Sequence, residues 1–204
     1  NSLIKSLPVN FTVQKILRDK DQKLFKKQIS KELKSKTDIL ITSGAVSKGK
    51  FDFIPSVINQ FKLKNHFKGV AIRPGKPIMF AKFNNNKCFF GLPGNPVSAV
   101  VLCLQILWPV FQVFSGVKNI ETPLRFKIRI NSDLKRRKGR PELIRSKLKV
   151  DQQGELYADI PPAQSSSQIS SLIDSDLLIE IPPEQDLLKK GTYLWAQLFR
   201  KTIL

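Results

Sequence analysis

The sequence predicts an α/β unit followed by a small all-β domain with a barrel-like sheet. Three observations carry this. Apolar strand-like runs alternate with amphipathic helical spacing up to about residue 118; short alternating strands with little helix between them follow; and Glu121-Thr122-Pro123 marks the change of texture. We divide the chain into residues 1–118 and 119–204, and 204 residues suffice for two modest cores.

Asn1 to Leu7 reads as a short helix remnant, and Val9 to Ile16 alternates as a strand. Asp19 to Leu33 places Leu24, Phe25, Ile29 and Leu33 at helical spacing, with lysines opposite. Asp38 to Thr42 is a short apolar strand stopping at Ser43-Gly44, so strand, helix and strand in that order predict a βαβ unit and a parallel sheet. Phe51 to Phe61 reads as a helix beginning near Asp52, and Gly69 to Ile72 as a strand entering Arg73-Pro74-Gly75-Lys76-Pro77. Ile78 to Phe83 and Lys87 to Phe90 form a hairpin around Asn84-Asn85-Asn86. Gly91-Leu92-Pro93-Gly94-Asn95-Pro96-Val97-Ser98 then turns into an apolar helix, Val97 to Val113, broken at Pro109. In that turn Asn95 suits an N-cap and Pro96 the first helical position, which predicts outward N–H groups suited to an anion. Beyond the boundary, Arg125 to Asn131, Glu142 to Val150, Glu155 to Ile160, Leu177 to Ile181 and Thr192 to Leu198 read as strands.

Composition narrows the function. His66 is the single histidine, which leaves almost no material for a Ser-His-Asp triad or a zinc site. Cys88 and Cys103 lie in apolar runs, which predicts buried thiols in a reducing compartment and a cytoplasmic protein. The net charge of +19 attracts anions. Most of the excess reads as solvated lysine; no interleaving of aromatic and basic residues points to nucleic acid, which is not expected as a partner. No segment is expected to span a membrane, because the apolar run at Val97 falls short of about 20 residues.

Three loops gather at one edge of the proposed sheet: Ser43 to Gly49, Arg73 to Pro77 and Gly91 to Ser98. Together they offer the hydroxyls of Ser43, Ser47 and Ser98, backbone N–H groups, and the cations Arg73 and Lys76, a set suited to phosphate. Asp52 reads either as an ordinary first-turn acid or as a carboxylate holding hydrated Mg2+.

In order and spacing, Thr42-Ser43-Gly44-Ala45-Val46-Ser47-Lys48-Gly49-Lys50-Phe51-Asp52, Arg73-Pro74-Gly75-Lys76-Pro77 and Gly91 to Ser98 resemble the molybdopterin-binding domain of the molybdopterin molybdenumtransferases, the MoeA and gephyrin family. Lys138-Gly139-Arg140-Pro141-Glu142-Leu143-Ile144-Arg145, Gln164-Ser165-Ser166 and Asp176 to Pro182 resemble that family's C-terminal barrel. The resemblance implies a three-layer MogA-like domain, truncated at its start, before the barrel. It also implies a transferase of molybdenum cofactor synthesis that inserts molybdate into adenylylated molybdopterin and releases AMP with Mg2+ assisting, acting on small molecules as a homodimer. By matching positions, Ser43, Gly44, Ser47, Gly75, Lys76, Pro93, Gly94, Asn95, Pro96, Ser98 and, in the barrel, Ser166 bind the pterin phosphate. Asp52 and Asp19 match functional aspartates, Asp52 as the metal carboxylate. The sequence departs from the family where Ala45 replaces a second glycine, Lys50 replaces an acid and Arg73 replaces a lysine. An acidic loop that the family carries upstream is expected before Asn1. The alternative is a non-catalytic pterin-phosphate-binding or scaffold module.

Overall fold

The computed structural model describes residues 9–18, 21–46, 52–162, 164 and 170–199. Two compact units emerge: one comprises Thr12–Val70 and Gly75–Ala99, the other Ala71–Pro74 and Val100–Leu204 together with Asn1–Phe11.

The first unit begins its regular structure with α1 (Gln22–Glu32), which turns Phe25, Ile29 and Glu32 inward while Lys23, Lys26, Lys27 and Lys31 stay in water. Glu32 is tolerated inside because Gln28, Ser35 and Thr37 all donate to its carboxylate. Lys87 closes the end of the helix by donating from Nζ to the carbonyls of Glu32 and Thr37, 3.3 and 2.7 Å away. Strand β1 (Ile39–Ser43), helix α2 (Ile54–Ile58) and strands β2 (Leu63–Lys68), β3 (Met79–Phe83) and β4 (Cys88–Leu92) complete the unit. The sheet runs β1-β4-β3-β2. Strand β4 is buried at every position because it is apolar on both faces and lies between two neighbours. Phe25, Ile29, Phe53, Ile54, Val57 and Ile58 pack with Met79, Ala81, Phe83 and Phe89 to form the core.

Several sequence expectations change here. Val9 to Ile16 is not a strand; it is mostly exposed and pairs with nothing in the sheet. The sheet is mixed rather than parallel: among the described residues β1 and β4 run parallel, whereas β3 is antiparallel to β4 and β2 to β3. The fourth strand is Leu63–Lys68 and not Gly69–Ile72, since Leu63-Lys64-Asn65-His66-Phe67-Lys68 serves as an exposed edge that hydrophobic patterning does not mark. Helix α2 keeps five residues of the expected Phe51–Phe61 helix. The hairpin is present, with Asn86 turning at φ +65°.

Helix α3 (Pro96–Phe114) is continuous where a break at Pro109 was expected. Pro109 has no N–H for the carbonyl of Gln105, and the helix absorbs this by widening to π geometry over Cys103–Leu107. Its length and apolarity alone would suit a membrane, yet Val101, Leu102, Leu104 and Leu107 are buried within the protein. Cys103 is half-buried rather than fully buried, and burial pushes its thiol up to about 11; burial also raises that of Cys88.

In the second unit β5 (Arg125–Ile130), β7 (Glu142–Val150), β8 (Leu156–Asp159), β9 (Leu177–Ile181) and β11 (Tyr193–Leu198) close a barrel in the order β11-β5-β8-β7-β9. Closure leaves no edge and gives strict alternation its meaning: Ile128, Ile130, Ile144, Ile179, Ile181, Leu194 and Ala196 fill one core. Strands β6 (Leu134–Lys135) and β10 (Leu187–Leu188) form a separate pair, and α4 (Ser170–Ile173) precedes β9. On the outer face of the barrel the Arg125 guanidinium lies 4.1 Å from the Trp195 ring centre and Arg129 5.5 Å from that of Tyr157. Basic and aromatic side chains thus interleave across strands, which the linear sequence does not reveal. Both arginines are already ion-paired, Arg125 with Glu180 at 2.7 Å and Arg129 with Asp151.

Candidate functional site

The site grows from the parallel pairing of β1 with β4. Thr42 lies opposite Gly91 and Ser43 opposite Leu92, so the loops leaving both strands emerge side by side. The Gly44 N–H donates to the Leu92 carbonyl at 2.9 Å and the Ser43 hydroxyl to the Pro93 carbonyl at 3.2 Å. A Cβ on Gly94 would stand 3.4 Å from the Gly44 Cα, and one on Gly91 only 2.6 Å from Val46 Cγ1. At Gly91 this approach demands glycine, whereas at Gly94 a Cβ would make a close but ordinary contact. Ala45, where the resembled family has glycine, sits at φ +52° and carries that strain.

The third loop reaches the same edge by a different route. Lys68, at the end of β2, faces Met79 at the start of β3, and Met79 in turn faces Gly91. The turn from Gly69 to Ile78 is held by the Gly69 N–H donating to the Ile78 carbonyl and the Val70 N–H to that of Lys76, at 2.7 and 3.1 Å. Gly75 is buried at φ +120°, and the Lys76 side chain points into solvent. Ser43, Gly44, Gly75, Lys76, Pro93, Gly94, Asn95, Pro96 and Ser98 thus share one edge of the first unit. Asp52 is half-buried just before α2, and the Ile54 N–H returns to the Ala45 carbonyl at 3.3 Å, bringing that segment back to the first loop. Asp19, Ser47 and Ser166 lie outside the described residues.

The start of α3 differs from the expected open anion site. Asn95 Oδ1 accepts both the Ser98 N–H at 3.0 Å and the Ser98 hydroxyl at 3.2 Å. Pro96 has no N–H, so the Asn95 side chain already occupies much of what an anion would take. An anion that takes the Ser98 N–H must exchange with Asn95 Oδ1. Electrostatics favour such an exchange, because this unit carries 17 Lys and Arg against 5 Asp and Glu, and no ion pair forms within it among the described residues. Among the same residues no three His, Cys, Asp or Glu side chains gather as a metal cage.

Arg73, expected with Lys76 as a cation of the anion-binding loop, is engaged elsewhere. Its backbone belongs with the second unit, where the Arg73 N–H donates to the Pro141 carbonyl at 3.0 Å and the Leu143 N–H to the Arg73 carbonyl at 2.7 Å. Its guanidinium is ion-paired with Glu142. Arg145, named in the sequence only as part of the barrel motif, is the largest fully buried side chain among the described residues; its Nε donates to the Ser171 hydroxyl at 2.8 Å while Gln164 brackets its backbone. Burial lowers its pKa. The available signal was an arginine between Ile144 and Ser146 inside a strand-like run.

Residues 1–112 match a family described as "Probable molybdopterin binding domain", and residues 127–199 match the "MoeA C-terminal region (domain IV)". The chain is 35% identical over 173 residues to the molybdenum cofactor synthesis protein cinnamon of Drosophila melanogaster, covering 83% of this chain and 28% of that protein. It is 33% identical over 165 residues to the molybdopterin molybdenumtransferase of Haemophilus influenzae, covering 81% and 40%. The crystal structure of the molybdopterin biosynthesis MoeA protein from Pyrococcus horikosii superposes with a TM-score of 0.67 at 26% identity, over 88% of this chain and 41% of that one. The chain therefore spans well under half the length of these relatives.

Proposed function

Because the chain belongs to the molybdopterin-binding domain family and continues into a MoeA-type C-terminal region, we propose that it is part of a molybdopterin molybdenumtransferase, which inserts molybdate into adenylylated molybdopterin and releases AMP. The observation that carries this reading is the glycine-to-glycine approach of the loops after β1 and β4, which brings Ser43, Gly94, Asn95 and Ser98 to one basic edge of a matched pterin-binding domain. Lys76 supplies a mobile cation for a phosphate or oxyanion there, and the Asn95 side chain yields its hydrogen bonds with Ser98 as the ligand docks. Ser47 and Ser166 are assigned to the same ligand, and Asp19 to catalysis, by family likeness.

Mg2+ bound with substrate phosphates needs only one or two protein carboxylates, and Asp52 is the carboxylate in this segment suited to hold it. Asp52 would hold the ion, which would supply neutralisation of pyrophosphate charge. We further propose a homodimer working in the cytoplasm, a setting consistent with free Cys88 and Cys103 thiols. Molybdenum insertion by the full-length protein tests the reading: Asn95→Ala and Asp52→Ala each reduce turnover at least tenfold, whereas unchanged turnover in both removes the site assignment. Restoration of molybdoenzyme activity in a cofactor-deficient strain separates the enzyme from a non-catalytic scaffold.

A further inference from the structure

Arg73 and Glu142 form an isolated parallel bridge at the entrance to β7, with backbone hydrogen bonds on either side of Glu142. Arg73 Nη1 stands 3.6 Å from Glu142 Oε1, an ion-pair distance too long for a hydrogen bond. The other carboxylate oxygen, Oε2, lies 2.9 Å from Arg136 Nε, with the N–H directed off that line, so this contact too is Coulombic without a completed hydrogen bond. Arg136 itself cannot move away: its side chain is 4% exposed and donates to the carbonyls of Pro182 and Gln185, at 2.7 and 3.3 Å, and to that of Arg140. The Arg140 guanidinium in turn donates to the Ile72 carbonyl at 3.3 Å. A fixed arginine thus holds a 14% exposed carboxylate against a second arginine whose side chain is 42% exposed.

Stability is a poor explanation for this arrangement, since burying an ion pair commonly returns little net free energy. We propose that Glu142 is a specificity-determining counter-anion: it holds the Arg73 guanidinium at the barrel until an oxyanion displaces it, and so lowers the affinity of the basic loop for anions in general. This rests on the reading of Arg73–Pro77 as an oxyanion-binding loop. Arg73 is released readily because no hydrogen bond fastens it to Glu142, whereas Glu142 stays behind with Arg136. The carboxylate repels a dianion that arrives beside it, so only a ligand with further contacts overcomes the competition.

The test is calorimetric titration of molybdate into the full-length protein. Glu142→Gln is expected to tighten binding about fivefold, the scale of a half-exposed ion pair, and to leave affinity unchanged within twofold when Arg73→Gln is already present. A residue that merely braces the loop gives the opposite sign, and weaker binding in Glu142→Gln, or the same tightening without Arg73, overturns the proposal. Should Glu142→Gln fail to fold because Arg136 is left uncompensated, Glu142→Asp keeps a charge near Arg136 but withdraws it from Arg73, and it too must tighten binding. Arg73→Gln and Lys76→Gln alone identify the level of any failure. Unchanged affinity in both removes the loop reading and this inference with it, while weakened affinity without tightening in the Glu142 variants removes this inference only.

Discussion

Adding a single methyl group at Gly91 tests how the two loops are held together. Gly91 lies in the fully buried β4, and its missing Cβ would stand 2.6 Å from Val46 Cγ1, 3.3 Å from Phe89 Cε1 and 3.5 Å from Met79 Cβ. The first distance is about 1 Å inside the optimal carbon–carbon separation. Val46 cannot swing aside cheaply: it is 1% exposed and branched at Cβ, which limits it to few rotamers. Overpacking of this kind costs about 1–3 kcal/mol, so Gly91→Ala should lower stability by about 2 kcal/mol. Val46→Ala removes two methyl groups and costs about 2 kcal/mol by itself, but it also removes the clashing atom. The double variant should therefore lie about 1–2 kcal/mol above the sum of the singles. Urea denaturation with a common m-value for all four proteins reads the cycle directly. Strict additivity would refute the reasoning, because it would mean that the Gly91–Val46 approach is not what makes glycine necessary.

The remaining expectations concern the loops and the barrel. Ala45→Gly relieves an L-residue from the left-handed region at φ +52°, and should raise stability by about 0.5–1 kcal/mol after the entropy cost of glycine, measured by the same denaturation. Asn95→Asp retains an acceptor for the Ser98 N–H and hydroxyl, so thermal stability should hold, while the added charge weakens pterin-phosphate binding at least tenfold in a titration. Equal affinity would place the anion elsewhere. In the barrel, the hydrogen bond from Arg125 holds the Glu180 carboxyl below its usual 4.5. A depressed pKa contributes stability above 4.5 that is lost as pH falls through the folded value, so Glu180→Gln should flatten the acid limb of the barrel's stability profile. An unchanged limb would show that other carboxylates carry it.

Much of the architecture is legible in the chain because it depends on local pattern. The alternation at Arg125–Ile130 has a period of two that turns Ile128 and Ile130 inward, whereas Glu142–Val150 departs from it by burying Ile144, Arg145 and Ser146 in succession. Strand β2 escapes notice for the complementary reason: as an exposed edge it buries nothing strongly, and Lys64, His66 and Lys68 resemble loop. Pro109 misleads as a helix breaker because the cost of its missing N–H depends on whether the surrounding helix can widen and remain packed, which Val101, Leu104 and Leu107 ensure. The interleaving of Arg125 and Trp195 is invisible in the chain because those residues are neighbours only through barrel closure.

Residue types and short-range spacing were enough to identify the three loops, the Asn95 cap, the glycines and the two-part architecture, since turns, caps and hydrophobic periodicity are decided within a few residues. Tertiary structure decided what those groups spend their bonds on. Asn95 is engaged with Ser98, Ser43 with Pro93 and Arg73 with Glu142, and these partners lie from 3 to 69 residues away along the chain. A side chain's availability to a ligand depends on every competing donor, acceptor and charge around it, and only the folded chain brings those competitors together.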